Sequence, residues 1–229
     1  MSRAVAIIAA HPDDEVLGCG GAVARFAREG RKVHVLILAD GEDSRSARGS
    51  AAEIKHRIEV RGQAARAACE VLGCASVKQL GLPDHRLDGV NLLDLVQPVE
   101  ALIRNVQPST LLTPHSGDVN IDHRQVHEAV LAACRPQPGH PVEELLFFEV
   151  PSSTEWRPPG ELAPFSPNWF VDIAATLSTK IEALKAYQAE LRDFPHPRSV
   201  EGISALARWR GVTVGVDAAE GFILGRKKV

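Results

Sequence analysis

The run His11-Pro12-Asp13-Asp14-Glu15 packs one imidazole and three carboxyl groups between an apolar segment, Ala4–Ala10, and a helical one beginning at Val16. Burying carboxylates is costly unless they are paired or hold a metal. An Asp before a helix often just caps it, but two adjacent Asp and a His exceed what a cap needs. A second cluster, His115, Asp118, Asn120, Asp122, His123 and His127, follows the apolar run Thr110–Thr113. Imidazole and carboxylate together suit a borderline cation such as zinc, and a catalytic zinc keeps three protein ligands and an open position. His11 and Asp14 from the first cluster and His123 from the second make that set, with Asp13 left unligated. Iron(II) suits the same ligands. Asp122 is placed to orient a ligand from behind. His127, four residues after His123 on a helix, faces the same way and either competes as a ligand or is an ordinary helix-face histidine.

The elements that must bring these clusters together alternate regularly. Apolar runs at Ala4–Ala10, Val33–Ala39, Val77–Leu80, Thr110–Thr113 and Leu145–Val150 read as strands. Helical segments lie between them at Val16–Arg28, Ala51–Leu72, Leu92–Val106 and His123–Cys134, and Asp40–Ser50 is a polar loop. This βαβα rhythm with continuously apolar strands predicts an α/β fold: a mostly parallel sheet with helices on both faces. Ligands of such sheets bind at the carboxyl ends of strands, which is where both polar clusters fall. After Pro151 the pattern becomes irregular, with Pro158-Pro159, Pro164 and Pro167. Helices are expected at Leu177–Leu191 and Val200–Trp209 and a strand at Phe222–Leu224. Residues 1–229 are expected to form one domain, with 151–229 a small C-terminal cap completing it.

Composition narrows the function. A hydrophobic fraction of 45% suffices for a sizeable core, and a net charge of −3 offers no footprint for a nucleic-acid backbone. The four cysteines show neither CxxC spacing nor the density of a disulfide scaffold. No apolar stretch has the length of a membrane span. Arg3 and the apolar run after it imitate a short signal peptide, but the run leads straight into acidic residues. A buried strand and a cytoplasmic protein are the expectation, with a small molecule as partner and a homo-oligomer compatible.

Ala10-His11-Pro12-Asp13-Asp14-Glu15 followed by Gly18-Cys19-Gly20-Gly21 resembles the opening signature of the N-acetylglucosaminyl deacetylase family, the PIG-L or LmbE-like proteins. Asn120-Ile121-Asp122-His123 resembles its second signature, and weaker similarity appears at Pro195-His196-Pro197-Arg198-Ser199 and Ala219-Glu220-Gly221-Phe222. The resemblance implies a Rossmann-like fold and a zinc-dependent hydrolase that removes an acetyl group from an amino sugar. It implies His11, Asp14 and His123 as ligands and Asp13 as general base. The family's second motif commonly opens with His where this chain has Asn120. Asn donates a hydrogen bond to an oxyanion but delivers no proton at neutral pH. Either Asp13 carries the proton both ways, or His115, His127 or His196 is the acid.

By the same resemblance Arg61 and Asp84 approach the sugar, as does His196, while surface ion pairing is the alternative for the first two. Arg57 and Arg86 stand near them. Glu15 either bonds a sugar hydroxyl or favours its helix N-terminus. Trp156, Trp169 and Trp209 receive no role. The substrate class expected is a soluble N-acetylglucosamine-type or nucleotide-linked sugar, with cleavage of another sugar-linked amide as an alternative. Two rivals come from other classes. A magnesium-dependent phosphoryl-transfer or phospho-acceptor module would use the paired aspartates, but the histidines argue against it. A nucleotide-binding module would use Gly18-Cys19-Gly20-Gly21, but these glycines fall inside the first helix, where close helix packing is the better reading.

Overall fold

The structure is a computed structural model that describes residues 4–42, 49–160 and 162–229. Arg3 and positions 43–48 of the expected polar loop lie outside the described residues. Strand β1 (Val5–Ala9) is buried throughout. Because successive side chains of a strand face opposite ways, Val5, Ile7 and Ala9 enter one core and Ala6 and Ile8 another. The first core is closed by helices α1 (Asp14–Arg28), α2 (Ala51–Leu72), α5 (Leu177–Leu184) and α6 (Val200–Val212). The second is closed by α3 (Leu92–Val106) and α4 (Ile121–Ala133). Helices thus cover both faces of one seven-stranded sheet.

The sheet contains β1, β2 (Val33–Ala39), β3 (Ser76–Leu82), β4 (Thr110–Pro114), β5 (Glu144–Phe148), β6 (Trp169–Asp172) and β7 (Ala219–Lys227). Their order is β3-β2-β1-β4-β5-β7-β6. β1 to β5 pair in parallel, and β7 runs antiparallel to both β5 and β6. The chain winds outward from β1 through β2 to β3, then restarts on the other side of β1 with β4. That reversal opens a crevice at the carboxyl ends of β1 and β4. His11–Asp14 leave the end of β1, and His115–His123 leave the end of β4.

Several elements differ from expectation. β6 is a four-residue strand that apolar patterning does not reveal, and β7 extends well beyond Phe222–Leu224. The helix expected to Leu191 ends at Leu184 and passes into a 3-10 turn, Lys185–Tyr187. α1 and α4 each begin two residues early, which places Asp14 and His123 within the first turns of their helices.

α1 is broken at Cys19, whose φ of −146° and ψ of 18° are not helical. The break has its own caps. Gly21 and Ala22 donate their backbone N–H groups to the Glu220 carboxylate at 2.9 and 2.7 Å. Lys180 Nζ donates to the Leu17 carbonyl (2.8 Å) and to Glu220 (2.6 Å). A buried ion pair from α5 and β7 therefore satisfies the backbone on both sides of the interruption. The glycines here serve close approach: a Cβ on Gly18 would lie 2.2 Å from the Phe148 ring, and one on Gly21 2.7 Å from Ile173.

Candidate metal centre

His11, Asp14 and His123 each place one ligand atom within 4.8 Å of the others, and all three residues are buried. Asp14 Oδ2 accepts from the His11 backbone N–H (2.8 Å) and lies 3.5 Å from His11 Nδ1 and 3.3 Å from His123 Nε2. The other Asp14 oxygen, Oδ1, is buried without a hydrogen-bond partner among the described residues. A buried carboxylate with one oxygen against two imidazoles and the other unpartnered is a donor set that suits a divalent cation, so the residues fit a metal.

The outward nitrogens of both imidazoles meet carboxylates. His11 Nε2 lies 3.0 Å from Asp122 Oδ2 and 3.1 Å from Asp84 Oδ1. Asp122 is itself fixed by the backbone N–H groups of His85 and Leu87 at 2.7 and 3.0 Å. His123 Nδ1 lies 3.0 Å from Asp118 Oδ2, and Asp118 accepts from Ser153 and Thr154 hydroxyls. Such outer carboxylates set ring orientation and raise ligand basicity.

Asp13, Asp14, Asp84, Asp118 and Asp122 are each at most 2% exposed, so this centre needs positive charge. Burial alone would lower the pKa of His11, but hydrogen bonds from its ring to the Asp122, Asp14 and Asp84 carboxylates raise it well above the ordinary value. His123 is raised to about 9, because the Asp14 and Asp118 charges outweigh its burial. Asp14 is held well below the usual carboxylate range: burial raises it, and His123 and His11 more than reverse that. Protonated histidines supply what a bound cation would.

Asp13 stands at the start of α1 with φ 117° and ψ −27°, a left-handed conformation that costs a non-glycine residue about 1–3 kcal/mol. Its side chain makes no cap hydrogen bond. It pairs instead with Arg198 Nη1 at 2.8 Å, with Arg61 Nη2 at 3.9 Å. Burial raises the Asp13 pKa, and the two guanidinium groups oppose that rise. Glu15 Oε2 accepts from the Asp13 backbone N–H (3.1 Å), and Tyr187 donates its hydroxyl to Glu15 Oε1. Burial lifts the Glu15 pKa to about 8.

A cleft of about 510 Å³ is lined by residues that include His85, Asn120, Ser152, Ser153, Trp156, Glu190, Arg192, His196 and Arg198. Its wall meets the centre at three points. His85 stacks on His11 (centroids 5.6 Å apart, planes at 22°), Ser153 bonds Asp118, and Arg198 bonds Asp13. Asn120 caps α4, its Oδ1 accepting from the Asp122 N–H at 2.9 Å, which leaves its NH2 as the end available to the cleft.

The structure does not bring every expected residue to this cleft. Glu15 is 0% exposed, so it has no surface to offer a sugar hydroxyl; it braces Asp13 from below. Arg61 is buried too, its Nη2 donating to the Pro12 carbonyl at 2.8 Å and its Nη1 lying 2.7 Å from Glu190. It supports the loop. Asp84 lies against His11. Of the three histidines considered as acid, His115 bonds the Ala163 carbonyl and His127 the Pro114 carbonyl, whereas His196 lines the cleft. Sequence reasoning gave no role to His85, Glu190, Arg192, Arg198 or Tyr187. Two signals were available: His85 follows Asp84 at the carboxyl end of a strand, and Arg198 lies in the Pro195–Ser199 motif.

A family model described as "PIG-L: GlcNAc-PI de-N-acetylase" matches residues 6–134, more than half of the chain. The chain belongs to this family. It is therefore an enzyme of a deacetylase family, whose chemistry is amide hydrolysis at an N-acetylated sugar. An Escherichia coli (strain K12) relative named "Uncharacterized deacetylase YaiS" is 29% identical over 193 residues, covering 82% of this chain and 91% of the relative. A Pseudomonas putida relative, "4-oxalmesaconate hydratase", is 30% identical over 201 residues, covering 80% of this chain and 72% of the relative. Among solved structures, the conserved protein TT1542 from Thermus thermophilus superposes with a TM-score of 0.76 at 29% identity. That match covers 99% of this chain and 96% of the other. No helix among the described residues is long and apolar enough to cross a membrane.

Proposed function

We propose that this PIG-L family member is a zinc-dependent hydrolase that removes the acetyl group from an N-acetylated amino sugar, free, nucleotide-linked or otherwise conjugated. The supporting observation is the convergence of His11, Asp14 and His123 beside a separately held carboxylate, Asp13, at the wall of a cleft of about 510 Å³. His11, Asp14 and His123 would hold the ion. A divalent cation there supplies Lewis acidity toward water and the acetyl carbonyl.

The chain's own groups supply the proton handling. Asp13 accepts a proton from the attacking water; burial raises its pKa, which favours proton uptake, and the Arg198 contact at 2.8 Å opposes that rise. Asn120 donates an amide N–H to the oxygen that gains charge as the carbonyl carbon becomes tetrahedral. The carbon–nitrogen bond then breaks, and the proton held on Asp13 passes to the leaving nitrogen, giving acetate and the free amine. Glu15, Tyr187 and Arg61 hold the strained loop on which Asp13 stands.

The test is acetate release from N-acetylated sugars by metal-reconstituted protein, abolished by a chelator and restored by zinc. Asp13→Asn is expected to retain the metal and lose turnover; an active Asp13→Asn protein with bound zinc overturns the role of Asp13. A second reading has a specific motive, the 30% identity to a hydratase. Consumption of 4-oxalmesaconate, with no acetate released from any sugar, would establish it. The two imidazoles speak against a magnesium phosphoryl-transfer site, and magnesium without zinc in the purified protein would reverse that.

A further inference from the structure

Among the described residues, the charges lining the cleft do not balance. The one carboxylate among them, Glu190, is engaged by Arg61 at 2.7 Å and Arg198 at 3.4 Å. Arg198 is in turn committed to Asp13 and, through Nε, to the Ser152 hydroxyl at 2.6 Å. Arg192 is different. Its Nη1 donates to the Ala189 and Leu191 carbonyls at 2.6 and 2.9 Å, which anchors the guanidinium. Its Nε and Nη2 hydrogens have no carboxylate among the described residues. His196 lines the same cleft, and its Nδ1 accepts from the Arg198 backbone N–H at 3.1 Å, which leaves Nε2 as the ring's donor. An anchored arginine with two free donor edges and a histidine N–H form a fork for a planar or tetrahedral oxyanion. Glu190 is too occupied to compete for either.

We propose that the substrate carries an anionic group, a carboxylate or a phosphate on the part distal to the acetamide, and that Arg192 with His196 binds it. This rests on the deacetylase reading above and narrows its substrate class from amino sugars in general to acidic conjugates. Arg192 and His196 line the cleft, whereas His11, Asp14 and His123 are not among its lining residues. An anion held there leaves the acetamide free to approach Asp13 and Asn120. The positive wall also raises the local concentration of acidic substrates.

The experiment compares acetate release by zinc-reconstituted protein from four substrates: an N-acetylglucosaminide of a hydroxy acid, the methyl ester of that compound, N-acetylglucosamine 1-phosphate, and the neutral methyl glycoside. The wild type should prefer at least one anionic compound over its neutral counterpart by about tenfold or more in kcat/KM, the gain carried mainly by KM. The preferred anion then names carboxylate or phosphate. The preference should shrink as ionic strength rises. Arg192→Gln should bring the ratio of anionic to neutral substrate to within about twofold of unity. Arg104→Gln, the same charge change on α3, should leave the ratio where it was. Equal turnover of acid and ester by the wild type, or a ratio unaltered in Arg192→Gln, overturns the anion site while the deacetylase reading stands. Absence of acetate from all four, with metal bound, removes the deacetylase reading itself and the anion site with it.

Discussion

Replacing Glu15 with Gln should make the protein less sensitive to alkali, and the structure sets the size of the effect. The Glu15 carboxyl is fully buried and its pKa stands at about 8, against 4.5 for the free side chain. A carboxyl whose folded pKa is raised binds its proton more tightly in the folded chain. Its contribution to stability is present in full below pH 4.5 and is lost as pH rises through 8. At about 1.4 kcal/mol per unit, the three units between pH 5 and 8 correspond to roughly 4 kcal/mol, an order-of-magnitude figure. Gln keeps the shape: its carbonyl accepts from the Asp13 N–H and its NH2 donates to the Tyr187 oxygen, and it does not titrate. Urea midpoints of metal-free wild type and Glu15→Gln, measured from pH 5 to 8, test this. His11, His123 and the aspartates titrate in both proteins and cancel in the difference. The variant should gain on the wild type steadily with pH, by a midpoint difference of about 1 M urea or more at pH 8. Parallel pH profiles would show that Glu15 is ionised in the folded protein and refute the reasoning.

Asp118→Asn removes the charge 3.0 Å behind His123 and should weaken zinc about 10- to 100-fold, read by competition with a chromophoric chelator. Lys180→Met leaves Glu220 buried against two backbone N–H groups with no cation and should cost about 3–5 kcal/mol in denaturant unfolding, partly recovered by adding Glu220→Gln. Gly18→Ala forces a methyl to within 2.2 Å of Phe148 and should cost about 1–3 kcal/mol, eased by Phe148→Leu in the double variant.

Much of the sheet was legible because β1, β2, β4 and β5 are buried on both faces, so their side chains need only be apolar and the run announces itself. β6 escaped notice because four residues at a sheet edge, with Asp172 exposed, satisfy no period. The candidate metal ligands His11, Asp14 and His123 could be picked out as residue types at strand ends, since the topology of a parallel sheet brings those ends together whatever lies between them. The cleft wall was not. Arg192, His196 and Arg198 reach the site through a segment without regular structure, and nothing local to it says which strand it will face. Glu15 and Arg61 misled for a related reason: a charged residue beside a catalytic motif has the same type whether it touches substrate or holds the loop from beneath. Only burial separates the two.

The broken helix α1 is tied to a strand far away in sequence. The backbone N–H groups of Gly21 and Ala22 find their acceptor 199 and 198 residues later, on β7. The strand that seats the His11–Asp14 loop is made well before the groups that close the helix behind it. Synthesis runs from the amino end and domains fold as units, and contacts this distant in sequence are the slow ones to form. A growing chain therefore holds its candidate ligands on an unfinished support until β7 arrives and Glu220 docks. The support of the His11–Asp14 loop is completed only when β7 docks, and any lesion that detaches β7 is felt at that loop.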